Sequence, residues 1–248
     1  MKNVVLIQEV KPSFTNRRSF LKISGLTLVG TSLLLSGCNN DDNNKNDVMN
    51  QFPGVKNGVF DLGAGDFGVL TYAYALEQLE ADFYTKVVNA SGFTTNFTAQ
   101  DQAVLTDLYR HEVIHREFFK TALTSALPDP KTQLLPSLAF NYGTLNFSDR
   151  TQVLATAKAL EDTGVAAYNG AGKLIKSPDY LLLAGKIVSV EARHASAIRS
   201  LINPNSKDFA GDDVINVTTG LDVAKSPSQV IPVAGGFITT KFTAQYLP

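Results

Sequence analysis

Two stretches of this chain carry the same charged and aromatic residues at the same spacing. One reads A-L-E-Q-L-E-A-D-F-Y from Ala75, the other A-L-E-D-T-G-V-A-A-Y from Ala159. Glu77 stands seven residues before Tyr84, and Glu161 seven before Tyr168. The helical stretch after each carries a Glu-x-x-His, first Glu112 with His115 and then Glu191 with His194. Residues three apart share a helix face, so each of these pairs aims a carboxylate and an imidazole at one interior point. Four such helices must converge, because buried carboxylates and imidazoles without partners are too costly to leave apart.

The surrounding pattern supplies those helices. The first is expected over Asp66 to Asn89, with Leu70, Ala73, Glu77, Glu80 and Tyr84 on one face and Gly92 ending it. Thr98 and Asp101 form a start signal for a second, running to about Leu123 with Leu105, Leu108, Glu112, His115 and Phe119 inward. Pro128 and Pro130 stop it, and no helical period follows until Ser148, the expected cap of a third helix. That helix carries Leu154, Ala157, Glu161, Val165 and Tyr168 on one face. Ser177-Pro178 opens a fourth, with Ala184, Ile187, Glu191, His194 and Ile198 inward. Short loops within each pair and a long link between the pairs predict an all-α four-helix bundle over residues 59–202, with one crossover between helices two and three. Residues 203–248, rich in Val, Thr, Gly and Pro, read as an extension packing on the bundle. Short extended segments are expected within 212–222 and a short helix within 226–237.

The first 38 residues read as an address. Asn16-Arg17-Arg18-Ser19-Phe20-Leu21-Lys22 precedes an apolar run that ends in Leu35-Ser36-Gly37-Cys38. The Arg17-Arg18 pair resembles a twin-arginine export signal. Leu-Ser-Gly-Cys resembles a bacterial lipobox, implying a lipid on Cys38 that holds the protein to a membrane of the bacterial cell envelope. An ordinary transmembrane anchor is the competing reading, for which an apolar run of about 13 residues is short. Residues 39–58 open with a run of Asn, Asp and Lys and are expected to form a disordered tether. A net charge of −1 excludes an electrostatic case for nucleic acid, and a single cysteine excludes a disulfide framework or a cysteine metal cluster.

Six ligands from four helices suit two bridged ions. Carboxylate and imidazole donors without thiolate favour iron or manganese over structural zinc. The whole pattern resembles the ferritin-like di-iron carboxylate superfamily. Its wording over about Asp61 to Leu201 is similar to the exported ferritin-like domain family that includes desiccation-related proteins. The resemblance implies Glu77, Glu112, His115, Glu161, Glu191 and His194 as metal ligands, with Glu112 and Glu191 bridging and Glu77 and Glu161 terminal. Glu80 competes with Glu77, but the repeat aligns Glu77 with Glu161 and Glu80 with Gly164, leaving Glu80 a supporting or alternate role. Tyr84 and Tyr168 read either as donors to a ligand carboxylate across the bundle, as in the superfamily, or as core aromatics. His111 reads as a surface or supporting histidine.

The resemblance implies chemistry of a pair of iron or manganese ions with oxygen, peroxide or Fe(II), as in a peroxidase, catalase-like enzyme or ferroxidase. A small oxidant would be the substrate. A non-catalytic envelope or stress scaffold, with a structural or vacant site, is the alternative. Nothing in the residues separates these activities or sets an oligomeric state.

Overall fold

The computed structural model describes residues 51–248. Arg17, Arg18, Cys38 and the tether as far as Asn50 lie outside the described residues. Four long helices form the body: α1 (Gly65–Val88), α2 (Ala99–Ala126), α3 (Arg150–Gly172) and α4 (Pro178–Ile202). α1 lies along α2 and α3 along α4, and the segment from Leu127 to Asp149 crosses between the two hairpins. No helix among the described residues is long and apolar enough to cross a membrane.

The helices begin where local chemistry lets them. Thr98 caps α2 by accepting from the Asp101 N–H at 3.1 Å, while the Asp101 carboxylate accepts the Thr98 N–H at 2.8 Å. Ser177 caps α4, and Pro178 takes the first turn, where its missing N–H costs nothing. The cap of α3 is a correction. Asp149, not Ser148, accepts the Gln152 N–H at 3.1 Å, because the Ser148 hydroxyl is committed to the Gly92 N–H at 3.1 Å. Gly92 itself opens a single turn, Phe93–Asn96, and α1 has already ended at Val88. α1 has no side-chain cap. Its first-turn Asp66 instead accepts the Lys176 and Ser177 N–H groups at 2.7 and 2.9 Å, which fastens the start of α1 to the start of α4.

α1 is buried on all sides from Gly68 to Ala81, wider than the single inward stripe its period predicts. The crossover and the C-terminal segment account for the difference, with Leu247 beside Gly68 and the short helix Pro227–Ala234 also against α1. Leu135 and Leu138 are buried, and the Gln78 side chain donates to Pro136 O at 3.3 Å and accepts the Leu138 N–H at 2.9 Å. Tyr142 donates to Asp82 at 3.0 Å.

The ends of the described chain are stitched together. β1 (Gly54–Lys56) turns back as β2 (Val59–Asp61) through Asn57 and Gly58, both at positive φ (53° and 80°). This Asn-Gly turn matches the twist of a tight hairpin. The tether expected to remain disordered to residue 58 therefore gives way to paired strand by Gly54. After α4 come β3 (Ile215–Asn216) and β4 (Leu221–Asp222), a small hairpin, then α5 (Pro227–Ala234) and β5 (Phe242–Thr243). β5 pairs in parallel with β2, setting Phe60 opposite Phe242 and Asp61 opposite Thr243. The buried Asp61 carboxylate accepts from Gly63 N–H at 2.8 Å, the Thr243 hydroxyl at 2.7 Å and Gln245 N–H at 3.0 Å. Between these points the tail crosses α3 at Gly170, where any Cβ would come within 1.8 Å of Lys225 O. Lys225 N–H donates to Ala166 O at 2.9 Å there.

Asp101 also joins three helix ends. It takes two hydrogen bonds from the Arg150 guanidinium, at 2.7 and 2.8 Å, and Arg150 reaches on to Leu201 O at 2.8 Å. Burial pushes the Asp101 carboxyl up, but the bonds from Arg150 and Thr98 outweigh it and hold it below its ordinary range. Asp101→Ala, which removes both the cap and the pair, is expected to lower stability by about 3 kcal/mol in denaturant unfolding at neutral pH. A depressed carboxyl stabilises above the unfolded-state pKa, so the wild-type advantage should fade below pH ~4. A loss under ~1 kcal/mol would show that the junction is not a structural tie.

Candidate metal centre

Each bundle helix delivers its chemistry to one level of the core. α1 brings Glu77, Glu80 and Tyr84, α2 brings Glu112 and His115, α3 brings Glu161 and Tyr168, and α4 brings Glu191 and His194. Glu77, Glu112, Glu161 and Glu191 are all fully buried, and both imidazoles are buried beside them.

The contacts fall into two halves. His115 Nδ1 lies 2.8 Å from Glu191 Oε1, 3.4 Å from Glu77 Oε2 and 3.5 Å from Glu112 Oε2. His194 Nδ1 lies 2.8 Å from Glu112 Oε1, 3.2 Å from Glu191 Oε2 and 3.4 Å from Glu161 Oε2. Glu112 and Glu191 thus send one oxygen into each half, whereas Glu77 serves only the His115 half and Glu161 only the His194 half. Two four-residue groups result, Glu77–Glu112–His115–Glu191 and Glu112–Glu161–Glu191–His194, each able to hold an ion.

The remaining oxygens of the two outer carboxylates are held across the bundle. Tyr84 on α1 donates to Glu161 Oε1 on α3 at 2.5 Å. Tyr168 on α3 donates to Glu77 Oε1 on α1. Each tyrosine of the repeat steadies the carboxylate of the other, so neither is merely a core aromatic. That leaves Glu77 Oε2 and Glu161 Oε2 turned to the centre.

The donor set fits a pair of cations. Glu77 Oε2, both Glu112 oxygens, Glu161 Oε2, Glu191 Oε1 and His115 Nδ1 are buried without a hydrogen-bond partner, although they sit close to one another. Lone pairs converging at such distances without hydrogen-bond geometry are costly unless a positive charge stands among them. Without one, protons take that part. Burial, then the charge of Glu191, pushes Glu112 up to about 8, and burial pushes Glu161 up to about 7. Burial works against the His194 cation, yet Glu161 and its neighbours prevail and push it up to about 12. His115 is likewise raised, by Glu77 foremost among its carboxylate neighbours, against the burial that opposes its charge. Glu191, flanked by both imidazoles, falls to about 2 despite its burial. Loading metal must displace these protons.

Glu80 lies one turn beyond Glu77. Its Oε1 is 3.0 Å from where a Cβ on Gly164 would be, so the glycine at the matching point of the repeat makes the room that Glu80 occupies. Burial, reinforced by the charges of Glu112, Glu161, Glu191 and Glu77, raises its pKa well above the ordinary value. It belongs to neither ion-holding group.

One contact was not anticipated. The exposed His111 turns its Nδ1 to His194 Nε2 at 2.9 Å, with the two ring planes within 14° of each other and the centroids 5.2 Å apart. A signal was present, since His111 precedes His115 by one helical turn on the same face. Its partner on another helix could be found only from the fold.

Residues 65–204 match the family model of a ferritin-like domain, more than half of the chain, and the chain belongs to that family. No curated protein matches it.

The geometry distinguishes the two glutamates of α1. Glu77→Gln, which removes a charge from the His115 half, should weaken divalent-ion binding by about 10-fold or more. Glu80→Gln, at a residue outside both groups, should leave stoichiometry intact. Equilibrium dialysis with Mn(II) reads both, and equal losses would contradict the assignment.

Proposed function

We propose that this ferritin-like protein holds two iron or manganese ions and uses them in redox chemistry with oxygen, peroxide or Fe(II). The observation that carries the reading is the pair of Nδ1-centred half-sites sharing Glu112 and Glu191. Iron or manganese bound there would supply the change of oxidation state that such a reaction needs.

The chain's own residues have distinct parts in this reading. Glu112 and Glu191 would hold both ions, since each has one oxygen in each half. His115 and His194 would each offer one nitrogen donor. With Glu77 and Glu161, four carboxylates balance the charge of two divalent ions. Tyr84 and Tyr168 keep the outer carboxylates from turning away, through bonds that leave one oxygen of each free. Glu80, buried next to the centre with its pKa raised, would keep a proton at hand. Full burial of the carboxylates excludes bulk water from the ions.

Protein purified without chelators, after expression with both metals supplied, should carry about two iron or manganese ions per chain by elemental analysis. It should also consume oxygen or peroxide in the presence of a reductant. The Glu112→Ala/Glu191→Ala double variant should lose both ions. Wild-type protein with neither metal would defeat this reading. Metal without turnover would reduce it to a structural site in a scaffold.

For location, we propose an exported lipoprotein of the bacterial envelope, held by a lipid on Cys38 after a signal bearing Arg17 and Arg18. The support is the sequence alone. Wild-type protein should fractionate with membranes and Cys38→Ser with the soluble fraction. Identical fractionation of the two would count against the lipid.

A further inference from the structure

The two halves of the centre are built from a duplicated pattern, but they are not supported alike. His194 has a second imidazole against its outer nitrogen, from His111 on the neighbouring α2. His115 has no such support among the described residues, and its contacts with the carboxylates all run through Nδ1. The repeat shows why. His111 immediately precedes Glu112, and the residue immediately preceding Glu191 is Val190, which has no polar atom to offer.

That difference bears on which ring nitrogen of His194 carries a proton. A neutral imidazole has one N–H and one lone pair, and only the lone pair can bind a cation. His194 Nδ1 is the atom facing Glu112, Glu161 and Glu191. For Nδ1 to give its lone pair, the proton must sit on Nε2. His194 is almost wholly buried, so that Nε2–H needs an acceptor. His111 Nδ1, at 2.9 Å, is placed to accept it, which leaves the other nitrogen of His111 to carry that ring's own N–H. The two ring planes lie within 14° of each other, as donation from one ring to the in-plane lone pair of the other requires.

We infer that His111 is a positioning residue: it fixes His194 in the Nε2–H tautomer, turns Nδ1 toward the centre, and makes the Glu112–Glu161–Glu191–His194 half the tighter of two unequal ion sites. This rests on the proposed dinuclear site. His111 touches neither ion and acts through His194. Because His111 is also exposed, it links the buried His194 to the protein surface.

The test is a Mn(II) titration of the full chain followed by electron paramagnetic resonance, comparing wild type with His111→Ala and His111→Asn. The wild type should bind one ion more tightly than the other and finish as an exchange-coupled pair. His111→Ala should weaken one of the two ions by about 10–100-fold, leaving the hyperfine pattern of single, uncoupled manganese at concentrations that fill the wild type. His111→Asn places an amide oxygen close to the position of the ring Nδ1 and should restore the coupled signal, which simple packing at an exposed position would not explain. Two full-affinity ions in His111→Ala, or failure of Asn to rescue, would overturn the inference. Wild-type protein that binds no manganese or iron would instead remove the dinuclear reading. 15N NMR of the metal-free chain reads the contact on its own: a hydrogen bond from His194 Nε2–H to His111 Nδ1 is expected, and its absence would overturn the positioning role.

Discussion

Four carboxylates in a dry core repel one another, and the architecture of this protein is arranged around that repulsion. Separately, each buried carboxylate would have to be neutralised at a cost of several kcal/mol. Together with two imidazoles they form a set that protons or two dications can satisfy. The long helices, their inward register and the tyrosines that cross the bundle all serve to keep Glu77, Glu112, Glu161 and Glu191 facing one another. The junction at Asp101, Arg150 and Leu201 holds helix ends whose register decides whether the six donor residues meet.

Much of this was legible because it is local and periodic. Glu-x-x-His reads as one face of a helix, Thr98 with Asp101 as a capping pair, and Ser177-Pro178 as a helix start. The choice of Glu77 over Glu80 followed from alignment of the two repeats, and the structure puts Glu77 in an ion-holding group and Glu80 outside it. What was misread depended on residues far away in the chain. Ser148 is a good cap by type, but Gly92 claims its hydroxyl. Asn57-Gly58 is a strong turn signal hidden at the end of a polar tract. Its strands also need β5, whose two residues show no strand pattern of their own. The full burial of α1 came from a crossover that shows no period and from the C-terminal segment, and the partner of His111 came from another helix.

The duplication matters most where it fails. Two of the matched positions that differ lie beside the centre, Glu80 against Gly164 and His111 against Val190. The first pair is a steric exchange, since the missing side chain of one repeat makes space for the extra carboxylate of the other. In the second, a polar residue on one side is matched by an apolar one on the other, so among the described residues only His194 has an outer imidazole partner. A symmetric set of donors is thereby set in unequal surroundings, and two ions bound there would not experience the same environment.

The pairing of β2 with β5 governs the order in which the molecule can be finished. The two helical hairpins are formed by neighbours in sequence and can assemble while the chain is still being made. The strand that meets Phe60 and Asp61 is separated from them by nearly the whole domain. Closing so long a loop is slow compared with forming a helix. Until residues 242–245 are synthesised, the Asp61 carboxylate has neither the Thr243 hydroxyl nor the Gln245 amide, and β2 has a bare edge. A nascent chain can therefore hold a nearly complete bundle while its first strands wait for its last, and that exposed edge marks the unfinished product.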